Sequence, residues 1–227
     1  MAPAALFDVD GTLLDSNYLH TLAWSEALAQ FGHGPAMARI HGAIGMGGDQ
    51  LLGHLLGADR DRSQDEEISA AQQALYARFW PRLRAFDGAA GLLRAVADRG
   101  WAVVLASSAS GRDLEVMRRA LDADDAITAA TGADDVERSK PAPDLVRAAL
   151  DKAGARPAEA LFVGDTPWDV RAASDAGVPC IAVLSGGWGE HDLWAAGALE
   201  VHEDVAALLA GLSESALGRP RARPSQG

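Results

Sequence analysis

The residues that most constrain this chain are 4–15, where an apolar tetrapeptide runs straight into Asp8-Val9-Asp10-Gly11-Thr12. Ala4 to Phe7 is too short and too punctuated for a helix, and it predicts a buried strand. Gly11 then lets the backbone turn sharply away. Open α/β sheets place their ligands at the carboxyl ends of the strands, so the two carboxylates are expected in a crevice. Like charges confined there need a cation between them. An all-oxygen donor set suits Mg²⁺, which keeps several waters and binds through one or two carboxylates and a phosphate.

After Asp15 the pattern turns helical. Leu19, Leu22, Ala23 and Ala27 share one helical face, and residues 42–48 form a Gly-rich loop before a short helix carrying Leu51, Leu52, Leu55 and Leu56. Ser63 and Glu66 have capping-box spacing, ahead of a helix whose face is Ile68, Ala71, Leu75 and Phe79. From Phe86, helices alternate with apolar strands over residues 101–106, 126–130, 160–163, 180–184 and 198–201. A helical block spliced into such an alternation predicts an inserted domain. The expected division is an α/β core of residues 1–15 and 86–212, a helical domain of residues 16–85, and a disordered tail of residues 213–227. The tail's end is rich in proline and arginine.

Composition excludes several function classes. With a net charge of −12, a nucleic-acid partner is not expected. No apolar run is long enough to cross a bilayer, and the N-terminus has no basic region followed by an apolar core, so no membrane partner is expected. Cys180 is the single cysteine and has no internal partner, which makes the cytoplasm the expected compartment. Lysine is scarce: of 20 basic residues only Lys140 and Lys152 are not arginine. A compact ammonium differs physically from a planar fork, so Lys140 calls for a particular reason.

Three further polar positions mark strand and helix ends. Ser107-Ser108 closes residues 101–106, Ser139-Lys140-Pro141-Ala142-Pro143 precedes a helix, and Gly164-Asp165-Thr166-Pro167-Trp168-Asp169 follows residues 160–163. With Asp8-Val9-Asp10-Gly11-Thr12 they resemble, in order, the four motifs of the haloacid dehalogenase superfamily in its phosphatase branch. The resemblance spans residues 3–209. It implies a Rossmann-like parallel sheet core, α/β in class, with an inserted all-helical cap. It further implies that Asp8 is the nucleophile, becoming an aspartyl-phosphate, and that Asp10 is general acid and then base. Ser107 and Ser108 would bind the phosphate, and Lys140 would neutralise charge shared by Asp8 and the phosphoryl group. Asp8, Asp10, Asp165 and Asp169 would form the Mg²⁺ set, with Asp169 bound directly or through water.

The resemblance also sorts the branches. Asp10 separates the chain from dehalogenases proper, and a helical block without lysine separates it from phosphonate cleavage by a Schiff base. The expected activity is Mg²⁺-dependent hydrolysis of a small phosphorylated metabolite by a monomer or homodimer. The alternatives are a sugar-phosphate mutase and a non-catalytic binding module. Residues 17–24 resemble the mutase linker, yet the mutases' cap arginine aligns near Gly48, leaving Arg39 as its substitute. His20 reads as a boundary residue of an amphipathic helix. The loop at residues 45–48 reads as a specificity element, and Trp168 and Trp188 as packing.

Overall fold

The computed structural model describes residues 2–57 and 59–218. The chain opens with β1 (Ala4–Phe7) and then enters a helical stretch. This comprises α1 (Asn17–Gln30), α2 (Met37–His41), α3 (Gly48–Leu56) and α4 (Asp65–Ala77). Strands and helices then alternate: α5 (Ala89–Asp98), β2 (Ala102–Ala106), α6 (Gly111–Leu121) and β3 (Ala129–Thr131). They continue as α7 (Asp144–Ala153), β4 (Ala160–Gly164), α8 (Pro167–Asp175) and β5 (Cys180–Val183). The series closes with α9 (Glu190–Ala196), β6 (Glu200–His202) and α10 (Val205–Ala210). No described helix is long and apolar enough to cross a membrane.

Among the described residues six strands form one parallel sheet in the order β3-β2-β1-β4-β5-β6. The order reverses at β1, which therefore borders the crevice where such sheets bind ligands. Strand side chains alternate between the two faces. Ala5, Phe7, Val103, Leu105, Leu161 and Val163 enter a core with α5, α6 and α10. Ala4, Leu6, Val104, Ala106, Ala160 and Phe162 enter the opposite one with α7, α8 and α9. A third core, around Trp24, Leu28, Ile40, Leu51, Leu52 and Ile68, belongs to the helical stretch alone. Each such side chain contributes about 1.5–3 kcal/mol relative to exposure, enough for separate packing units.

The helical stretch leaves and rejoins the sheet along two segments lying side by side. The Asp15 N–H donates to the Arg84 carbonyl at 3.0 Å, and the Phe86 N–H to the Leu13 carbonyl at 2.9 Å.

Several local expectations differ from the structure. On α1 the expected Ala23 and Ala27 are buried, but the buried face also takes in Asn17, Thr21, Trp24 and Leu28, and Leu22 is exposed. On α4 the buried positions are Ile68, Gln72 and Tyr76, one i+4 row. Polar side chains on both rows escaped a purely apolar pattern: Gln72 and Tyr76 line a polar cavity, Asn17 donates to Asp165, and Thr21 donates to the Asn17 carbonyl. The expected capping box at Ser63 is absent. The helix starts at Asp65 without a side-chain cap, because Asp61 takes the Ser63 N–H at 2.9 Å and Arg60 pairs with Asp65 at 2.6 Å. The segment α2 carries too few apolar residues to have shown itself. The tail expected from residue 213 is contradicted as far as residue 218: Leu217 is buried, and its carbonyl accepts from the Trp101 indole at 3.1 Å. Residues 219–227 lie outside the described residues.

Candidate active site

Register brings the site together. Phe7 pairs with Leu105 on one side and Val163 on the other. Asp8 leaves β1 one residue later, and Ser107 and Asp165 leave β2 and β4 beside it. All three are buried. The Asp8 N–H still donates to the Val163 carbonyl at 2.9 Å, which pins the carboxylate at the strand end.

Lys140, only 1% exposed, reaches this point from the segment before α7. Its Nζ donates to Asp8 Oδ1 and, at 2.8 Å, to Asp169 Oδ1. The other Asp169 oxygen accepts from the Thr166 backbone N–H at 3.1 Å and from the Thr166 hydroxyl at 2.7 Å. The Thr166 hydroxyl in turn accepts from the Asp169 N–H, a capping box at the start of α8. Both Asp169 oxygens are thus engaged by the lysine and the helix cap.

Asp165 is fully buried and meets only neutral donors: Thr12 Oγ1 at 2.8 Å and Asn17 Nδ2 at 2.9 Å. Its walls are glycine. Gly11 has φ +76°, and a Cβ on Gly186 would lie 1.7 Å from Asp165 Oδ2. The Asp8, Asp165 and Asp169 oxygens lie within 4.8 Å of one another. One ammonium against three buried carboxylates leaves uncompensated negative charge, and the oxygen donors suit a hard divalent cation. The residues present therefore fit Mg²⁺, with Asp8 and Asp165 offering the less occupied oxygens. The Asp10 carboxylate is not part of this cluster. It accepts from Ser16 Oγ at 2.5 Å and pairs with His20 Nε2 at 3.1 Å. His20 stacks on Tyr76, with ring centroids 3.7 Å apart, and its Nδ1 lies 3.4 Å from Gln72 Nε2.

These surroundings move the proton affinities apart. Burial pushes the Asp8 carboxyl up to about 7; the Lys140 charge opposes this, and Asp169 and Asp10 add to it. Burial, with Asp169 and Asp8 nearby, raises Asp165 well above the usual range. Burial alone would lower the Lys140 ammonium, but Asp169 and Asp8 outweigh it and raise it. For Asp10, burial acts upward, yet the His20 charge and the His20 and Ser16 hydrogen bonds hold the carboxyl below its ordinary value. Two carboxylates two residues apart are thus pushed in opposite directions, Asp8 upward and Asp10 downward.

A cavity of about 340 Å³ opens between the strand ends and the helical stretch, with Asp8, Asp10, His20 and Lys140 at its floor. Ser107 is buried beneath, 3.4 Å from Asp10 Oδ2, while Ser108 lines the cavity and donates to the Gly45 carbonyl at 3.3 Å. The loop at residues 45–48 does border the cavity. Trp168 does not; its indole donates to the Gly42 carbonyl at 3.1 Å and meets Trp188 edge-on. Arg39 is exposed and donates to the Leu55 carbonyl at 3.2 Å, away from the cavity lining. Sequence reasoning missed Asn17 and Thr12 as partners of Asp165 and underrated His20. The spacing of His20 from Asn17 and Trp24 on one helix was the available signal.

The sequence profile of the haloacid dehalogenase-like hydrolases matches residues 2–177. A phosphoglycolate phosphatase of Rhodospirillum rubrum is 32% identical over 217 residues, covering 92% of this chain and 90% of that protein. A hydrolase from Pseudomonas syringae has a similar structure, with a TM-score of 0.88 and 37% identity over 93% of this chain and 98% of that one. A putative β-phosphoglucomutase from Bacteroides vulgatus shares the fold at a TM-score of 0.85 and 24% identity, covering 98% of this chain and 91% of that one.

Proposed function

The chain belongs to the haloacid dehalogenase-like hydrolases, and from that premise we propose that it is a Mg²⁺-dependent phosphatase acting on a small phosphorylated metabolite. The observation that carries this reading is Asp8: buried at the central strand end, opening onto a cavity, with Lys140 on one oxygen and Asp165 beside it. A carboxylate held so cannot be a solvated surface charge, and its placement suits in-line attack on phosphorus.

In this reading Asp8 attacks the phosphorus, forming an aspartyl-phosphate as the ester P–O bond breaks. Asp10, oriented by His20 and Ser16, protonates the departing oxygen and then takes a proton from the water that attacks the aspartyl-phosphate, so that the Asp8 O–P bond breaks and inorganic phosphate leaves. Asp8 and Asp165 would hold Mg²⁺, which supplies positive charge to the phosphoryl oxygens. Lys140 neutralises the same region from the opposite side, and Asp169 fixes its ammonium there. The helical residues 16–85 act as a cap over the site, with residues 45–48 facing it. The mutase alternative needs a further cation on the cap side, and Arg39, its candidate, is directed to the Leu55 carbonyl instead.

The test is Asp8→Asn, nearly isosteric but unable to form the acyl phosphate. Hydrolysis of p-nitrophenyl phosphate is expected to need Mg²⁺, to stop with EDTA, and to fall by at least about 10³-fold in the folded variant, on the scale of losing a nucleophile. Activity retained by that variant, after mass spectrometry excludes deamidation, reassigns the nucleophile.

A further inference from the structure

The floor of the cavity is built for one phosphate; its walls carry the information about the rest of the substrate. Lys140 and His20 are the cationic or potentially cationic side chains in the described lining. Both are committed at the floor, Lys140 to Asp8 and Asp169 and His20 to Asp10. The upper wall instead presents Asp49, Asp113, Asp134 and Glu137. Asp113 accepts from Ser110 Oγ at 2.7 Å and Trp80 Nε1 at 3.1 Å, and Asp134 from the Gly111 N–H at 2.8 Å. These partners are all neutral.

The basic residues nearest these carboxylates in sequence are turned to other duties. Arg112 stacks on Trp80, Arg138 pairs with Asp144 at 3.1 Å, and Lys152 pairs with Asp135 at 2.8 Å. Arg60 and Arg62 line an adjoining groove that shares Gly48, Asp49, Ser69 and Gln73 with the cavity but do not line the cavity itself, and Arg60 is bound to Asp65. The wall also leaves little room for a cation to enter from Gly48. A Cβ there would lie 3.3 Å from the Trp24 indole and 3.4 Å from Ser69 Oγ.

Neutral polar groups complete the lining. The Tyr76 hydroxyl is buried without a hydrogen-bond partner in the structure, on a cavity-lining residue that is 1% exposed. Gln73 and Ser69 lie on the same helix, and Ser69, Gln73 and Tyr76 all border the cavity. A phenol oxygen and amide or hydroxyl groups can accept from a hydroxyl or an ammonium; against a second anion the nearby carboxylates add repulsion.

Resting on the phosphatase reading, we propose that the substrate is a phosphomonoester whose leaving group carries no second anion. It is a polar neutral or amine-bearing alcohol rather than a hydroxy acid or a second phosphate. Specificity here is exclusion: a carboxylate or phosphate on the leaving group would face four side-chain carboxylates without a cation to pair with.

Three esters of equal length isolate this point: 2-hydroxyethyl phosphate, phosphoethanolamine and 2-phosphoglycolate, ending in a hydroxyl, an ammonium and a carboxylate. Each is measured as a competitive inhibitor of p-nitrophenyl phosphate hydrolysis in Mg²⁺, so binding is read whether or not the ester turns over. The hydroxyl ester is expected to bind at least about tenfold more tightly than 2-phosphoglycolate, with the ammonium ester at least as tight as the hydroxyl one. Glu137→Lys, at an exposed position, should narrow the gap between 2-phosphoglycolate and the hydroxyl ester by roughly tenfold. Equal inhibition by all three, by none, or preferential inhibition by 2-phosphoglycolate overturns the proposal while p-nitrophenyl phosphate is still hydrolysed. Absence of that hydrolysis removes the phosphatase reading itself, and the proposal with it.

Discussion

Lys140 shows how much one side chain decides at this site. It is buried between Asp8 and Asp169, and both ion pairs depend on a compact head reaching into a space with little room. Lys140→Arg keeps the charge but brings a wide planar fork, which cannot occupy the same place. The variant is expected to lose at least about tenfold in kcat, comparable to losing one electrostatic stabiliser, while circular dichroism remains native. Steady-state kinetics against p-nitrophenyl phosphate checks it, and near-normal turnover would return Lys140 to a structural role. Its rarity among arginines was the sequence signal that set this residue apart, and the structure buries it between two carboxylates. The importance of His20 was not legible, because its partner Asp10 is ten residues away and only the turn at Gly11 brings the two together. Asp169 was legible as a site residue, but its exact service was not. Its lysine contact lies across the fold, and only the Thr166 cap is local.

At the scale of elements, strand ends were the readable part, since each apolar run terminates in a polar residue and a parallel sheet gathers such ends on one side. The polar faces of α1 and α4 were the unreadable part, because periodicity arguments look for apolar rows, whereas His20 and Gln72 line a polar cavity and Asn17 bonds Asp165. The turn after β5 carries a second such lesson. Gly186 supplies a carbonyl to Asn17 at 3.2 Å and to His41 at 3.1 Å while its missing side chain leaves space for Asp165. Gly186→Ala forces the turn or Asp165 to move. Mg²⁺ affinity, measured by isothermal titration calorimetry, is expected to weaken by roughly tenfold or more, on the scale of losing an outer partner of a metal ligand. Unchanged affinity would show that Asp165 does not hold the ion.

For the molecule as a whole, the buried carboxylates tie stability to pH. Asp8 titrates near 7 in the folded chain against an ordinary 3.8, and Asp165 is also raised. Between those values the folded chain keeps protons that the unfolded chain has lost. The stabilisation is therefore full below the ordinary carboxylate value and declines as pH rises through about 7. Asp10, held low, works in the opposite sense, losing its contribution as pH falls through a value below 3.8. Without Mg²⁺, Tm is expected to drop by several degrees between about pH 5 and pH 8, since each 1 kcal/mol is about 2–4 °C for a chain of this size. Mg²⁺ should restore much more of it at pH 8 than at pH 5. Differential scanning calorimetry with and without the ion checks the sign, and a metal-free Tm that climbs towards pH 8 refutes it.

The paired segments joining the sheet to the helical stretch carry one more consequence. Hydrogen bonds from Asp15 to Arg84 and from Phe86 to Leu13 make them a two-stranded strap rather than two separate tethers. A strap of that kind bends readily across its width and stretches very little. Displacement during any swing grows with distance from it. Ser16 and Asp10, beside the strap, would hold their places while helical residues further from it would travel more. A swing about the strap would therefore widen the cavity without parting Asp10 from Ser16.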